Sequence, residues 1–220
     1  MTAAGATVPE DGADALAVWC EVRRQVDWPR LGSGEAAGPV TPAVDGFTSW
    51  CGGPVRRHDA TRADRLLSAY AAVRADAARG RSLTFGVLSG WQQSVLGTGE
   101  AVPFRTGDAY AKGGRERYGL TESTEADFAR CLHDSADRAV PPVARAARVY
   151  LDVAFFHPFA DGNARSALLA LVFVLAREDI ALDEVGPLQT TRYADDPAGA
   201  ADLVRLVALL VRAAARRSGR

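Results

Sequence analysis

Between His157 and Arg165 the chain reads His157-Pro158-Phe159-Ala160-Asp161-Gly162-Asn163-Ala164-Arg165, and these residue types describe chemistry at a phosphorus centre. His157 titrates near neutrality and can take a proton from an attacking hydroxyl. Asp161 offers hard carboxylate oxygens suited to Mg2+, an ion that usually arrives with phosphates. Gly162 lets the backbone come close to a ligand with no Cβ in the way. Directly after it, residues 163–177 are apolar almost all round, the pattern of a central buried helix. The backbone N–H groups of Gly162, Asn163 and Ala164 then fall at a helix N-terminus, where they are unpaired and the helix dipole favours an anion. Arg165, one turn in, can fork onto phosphate oxygens. Asp161 can also cap that helix.

Other elements must hold this loop in place. Pro141-Pro142 opens a helix over 143–156 that ends just before His157. Earlier in the chain, apolar spacing predicts helices over 13–26, from Asp59 or Thr61 to 78, over 83–96 and over 123–138. A final amphipathic helix is expected over 199–216. Residues 102–118 break the pattern: Phe104, Thr106, Tyr110 and Tyr118 favour sheet, and Gly113-Gly114 signals a turn, so a short β-hairpin is expected. The Gly- and Pro-rich stretch 29–54 predicts no element, and residues 1–10 are expected to be disordered. The fold class predicted is all-α, a helical bundle with one small hairpin. It divides into an extension over 1–80, mostly helical around a Gly/Pro-rich connection, and a domain over 81–217.

Composition narrows the function classes. At 220 residues, with 48% hydrophobic and 24% charged residues, the chain can bury a sizeable core. A net charge of -1 gives no global reason to expect nucleic acid or a membrane surface as partner. Arginine supplies nearly all the basic residues, and Lys112 is the only lysine. Cys20, Cys51 and Cys131 lie far apart with no paired spacing, which argues against structural zinc and disulfides and fits a reducing compartment. No secretory signal or membrane-length apolar run is visible, so a cytoplasmic protein is expected.

The nine-residue stretch is similar to the signature of Fic proteins, HPFx(D/E)GNGRxxR, at every specified position up to Arg165 except Ala164. Phe104-Arg105-Thr106 and the hairpin after it resemble the flap of that family, and the resemblance covers residues 82–215. It implies a Fic-type bundle in which His157 is the general base and Phe159 anchors the loop. Asp161 would hold Mg2+, while Gly162, Asn163 and Ala164 at the helix start and Arg165 would bind the phosphates of a nucleotide, ATP first among donors. Tyr193 falls where some relatives place a residue against the base. The flap (Thr106, Gly107, Asp108, Ala109, Tyr110 and Lys112) would align an extended target segment by main-chain pairing. Arg105 is expected to hold the flap in place. The reaction implied is direct in-line transfer of AMP, or another nucleotide-derived group, to a hydroxyl of a protein, peptide or small molecule. A homodimer is also allowed for.

Two departures matter. Ala164 stands at the usual second glycine and Leu168 at the usual second arginine. Neither residues 41–46 (TPAVDG) nor residues 121–126 (TESTEA) complete the family's inhibitory pattern (S/T)xxxE(G/N). Self-inhibition of that kind is therefore not expected. Arg165-Ser166-Ala167-Leu168 also resembles Doc proteins, which implies transfer of a terminal phosphate as an alternative. A catalytically inactive nucleotide-binding or interaction module is the other alternative.

Overall fold

The computed structural model describes residues 14–33 and 38–218. The expected disorder over 1–10 falls outside them. Asp14 caps α1 (Ala15–Gln25), its Oδ1 accepting the Leu16 N–H at 2.9 Å. The stretch for which the sequence offers no element contains a short helix, α2 (Gly46–Trp50), which runs through a π turn (Cys51–Val55) into α3 (Arg56–His58). Gly and Pro read as breakers there. Yet Asp45 caps α2 through the Thr48 N–H, and Phe47 and Cys51, one turn apart, are buried.

Asp59 caps α4 (Ala60–Ala78) through the Arg62 N–H at 2.9 Å. Thr84 caps α5 (Phe85–Leu96), which ends at Gly97 in the left-handed region at φ 69°. The hairpin follows, with β1 (Ala109–Ala111) antiparallel to β2 (Glu116–Tyr118) and Ala109 opposite Tyr118. Its strands are shorter than the sheet-prone stretch, because Phe104 and Thr106 lie ahead of the ladder. Next, α6 (Thr124–Asp134) stops four residues before the expected end. There the Ser135 hydroxyl donates back to the Leu132 carbonyl at 2.6 Å, an alternative to continuing the helix. The last three helices, α7 (Pro142–Phe156), α8 (Asn163–Ala176) and α9 (Pro197–Ser218), lie where the apolar pattern puts them.

The architecture is all-α, a helical bundle with one β-hairpin. At its centre α7 and α8 make the most extensive contact between helices. Both are buried nearly all round, so the loop between them starts and ends on rigid elements. Around this pair, α4 packs on α5 and α8, while α6 and α9 pack on α7. Helices α1 and α4 contribute Leu16, Trp19, Leu66 and Val73 to the same apolar core.

The contact of α1 with α7 is also polar. Fully buried Asp152 accepts from Arg23 Nε at 2.8 Å and from Trp19 Nε1 at 3.0 Å. A buried carboxylate needs such partners to stay charged. All three cysteines are free. No helix among the described residues is long and apolar enough to cross a membrane.

Candidate active site

His157 is the C-cap of α7, and its φ of 48° places a non-glycine residue in the left-handed region. That turn aims the chain away from the helix and sets the imidazole on the wall of a cleft of about 950 Å³. One wall is residues 102–111 and the other is residues 157 and 159–165. Nδ1 lies 2.7 Å from the Ala154 carbonyl oxygen, which can only accept, so Nδ1 carries the proton. Nε2 then keeps its lone pair. Burial, the largest influence, lowers the His157 pKa below the ordinary histidine value, against the hydrogen bond to Ala154. The ring is thus neutral at pH 7, with Nε2 free to accept a proton.

The loop from His157 to α8 is fixed from inside. Phe159 is fully buried and stacked on Phe85, with ring centroids 5.5 Å apart. The Asn163 side chain turns back across the loop, accepting the Phe159 N–H at 3.0 Å and donating to the Phe159 carbonyl at 2.7 Å. Its amide group is therefore spent on the loop, and only its backbone N–H is placed to meet a ligand. Gly162, not Asp161, is the N-cap of α8, at φ 81°, a conformation suited to glycine, and its N–H is not unpaired as the sequence suggests but donates to Asp161 Oδ1 at 2.6 Å. Arg165 donates to Asp161 Oδ2 at 3.0 Å, and its other terminal nitrogen meets the Val95 carbonyl at 3.4 Å.

Gln92 on α5 is a further residue of the site that the sequence pattern does not reveal. Its Nε2 donates to the Asp161 carbonyl at 2.5 Å, and its Oε1 accepts the Ser166 hydroxyl. It is fully buried and joins α5, the loop and α8. The one available signal was a polar residue beside Trp91 on the apolar face of a helix.

Thr106, Gly107, Asp108, Ala109 and Tyr110 face the loop across the cleft. Arg105 ties the two walls together. Its N–H donates to the Pro158 carbonyl at 2.9 Å, and its guanidinium donates to the carbonyls of Gly107 (2.5 Å), Gly119 (2.8 Å) and Phe156 (3.4 Å). Lys112 and Tyr193 lie outside the cleft lining. The Lys112 ammonium stands 4.2 Å from the Tyr193 ring centroid and pairs with Glu116. Leu168 is buried in the core, so that position presents no side chain to the cleft. Asp45, within TPAVDG, is spent on capping α2 and on the Tyr70 hydroxyl at 2.6 Å.

Asp161 is the residue that fits a metal. Its carboxylate is 76% exposed at the cleft. Among the described residues no group of three or more His, Cys, Asp and Glu side chains could cage an ion. One exposed carboxylate beside a helix N-terminus suits Mg2+, which keeps waters and binds through one or two carboxylates plus substrate phosphates.

Comparison with known proteins agrees with this layout. Residues 91–175 match the model of the Fic/DOC family. No curated protein sequence matches the chain. Among solved structures, Fic-1 from C. elegans aligns at TM-score 0.53 and 16% identity, over 93% of this chain and 70% of that one. A Fic domain-containing signalling protein from Bacteroides thetaiotaomicron aligns at TM-score 0.53 and 13% identity, over 95% and 90%. The IbpA Fic2 domain in complex with adenylylated Cdc42 aligns at TM-score 0.57 and 11% identity, over 91% and 71%. At these identities the likeness is one of fold.

Proposed function

From the match of residues 91–175 to the Fic/DOC family model we propose that the chain transfers AMP from ATP to a hydroxyl group, with His157 as general base. The observation that carries this reading is the contact of His157 Nδ1 with the Ala154 carbonyl, which leaves Nε2 unprotonated on a ring lining the same cleft as Asp161, Arg165 and the start of α8.

The acceptor hydroxyl loses its proton to Nε2 as its oxygen attacks the α-phosphorus in line. The bond from that phosphorus to the bridging oxygen breaks, and pyrophosphate leaves. The N–H groups of Asn163 and Ala164, ahead of the first intrahelical bonds of α8, receive phosphate oxygens. Arg165 clamps them, its present contact with Asp161 exchanged for phosphate. Asp161 would hold Mg2+, which neutralises charge on the donor's phosphates. Thr106 to Tyr110, on the opposite wall, would align the target backbone beside β1. The IbpA Fic2 complex with adenylylated Cdc42 supports a protein as acceptor.

A second reading, transfer of the terminal phosphate, draws on Leu168. Its burial leaves Arg165 without a companion arginine on the next turn of α8 to hold that phosphate as a leaving group. Intact-mass spectrometry of candidate acceptor proteins after incubation with the enzyme, ATP and Mg2+ tests the main reading. A nucleotide adduct is the expected result, and a bare phosphate adduct favours the second.

A further inference from the structure

The His157 imidazole lies flat against the Tyr118 ring, with centroids 4.6 Å apart and planes 9° from parallel. Tyr118 is the last residue of β2 and is 1% exposed. It also meets Phe155, at a centroid distance of 6.4 Å. Its hydroxyl donates to Glu116, whose other carboxylate oxygen pairs with Lys112 at 2.5 Å. The base therefore rests on the hairpin as well as on its own helix.

The His157 ring is held through Nδ1 by the Ala154 carbonyl, and a single hydrogen bond does not by itself fix a ring's rotation about that bond. We propose that Tyr118 is the positioning residue for His157, fixing by its stacked ring the direction in which Nε2 faces the cleft. The charged groups bearing on His157 come from the same hairpin and its root: Glu116, Lys112 and Arg105. Glu116 holds Tyr118 by its hydroxyl and Lys112 holds Glu116, so the far end of the stack is tied within β2 and the turn. A target strand laid along β1 then lies beside the strand that orients the base. This inference rests on the proposed role of His157.

The test has one arm that needs no turnover. In the parent protein, the stack predicts His157 ring protons shifted upfield by the Tyr118 ring current, with nuclear Overhauser contacts between the two rings. The chain has three histidines, so assignment is tractable. Unshifted ring protons with no such contacts would overturn the proposal. In the second arm, Tyr118→Phe keeps kcat within about threefold, while Tyr118→Leu lowers kcat by about 10- to 100-fold with the KM for ATP unchanged, since a misdirected base is costly. Equal kcat for Tyr118→Leu and the parent would contradict it, as would an equal loss in both variants, which would assign the effect to the hydroxyl. A stacked ring in a protein without transferase activity would refute the proposed function and leave the stack standing. An active protein with a free ring would do the reverse.

Discussion

His157 and Gly162 show how much of the site depends on single backbone conformations. Both are left-handed, at φ 48° and 81°, and together they turn the chain from the end of α7 to the start of α8. A Cβ on Gly162 would come within 2.5 Å of Gln92 Nε2, and Gln92 cannot withdraw without releasing Ser166. Gly162→Ala is therefore expected to cost about 1–3 kcal/mol in stability, read from urea unfolding. The lowered pKa of His157 has two consequences. The acidic limb of kcat/KM lies below the ordinary histidine value of about 6.5, and a limb above it would contradict the burial argument. The sign for stability agrees. The folded state binds the proton less readily than the unfolded chain, so this contribution is present above the unfolded value and is lost as pH falls below it.

Among the elements, the supports of the loop include Phe159 in the core, Asn163 across the turn, Gln92 from α5 and Arg105 on the Pro158 carbonyl. Gln92→Leu leaves the Asp161 carbonyl and the Ser166 hydroxyl without their partner. A loss of about 1–3 kcal/mol is expected, with a raised KM for ATP as Asp161 shifts. An unchanged urea midpoint would show that the loop does not need this brace. That His157, Asp161, Gly162 and Arg165 line one cleft is legible from their close spacing in sequence, since the turn between two buried helices must bring them together. The helices are legible because α7, α8 and α9 keep an uninterrupted apolar pattern. Two features are not. Gln92 reads as an ordinary polar position until the partner loop, far away in sequence, is brought against it. The helix α2 hides in a stretch where Gly and Pro mask the one-turn spacing of Phe47 and Cys51. Tyr193 and Lys112 carry no local signal of their own, and they meet each other outside the cleft lining.

For the molecule as a whole, α1 and α4 share one apolar core with the helices that carry the site. Asp14 accepts the Gly119 N–H at 3.0 Å, and Arg23 reaches Asp152 five residues before His157, so α1 braces both the hairpin and α7. Arg23→Met would leave the buried Asp152 carboxylate without its nearest cation. The expected cost is about 3 kcal/mol or more in the urea unfolding of the full chain. A shift under about 0.5 kcal/mol would mean that α1 is not held by this pair. The most direct measurement incubates the protein with Mg2+, a lysate as a source of targets, and ATP labelled at either the α- or the γ-phosphate, with His157→Ala alongside. Protein-bound label is expected from the α-position alone, lost in the variant by a factor of about 100 or more. Label that persists at the parent level in His157→Ala would contradict it.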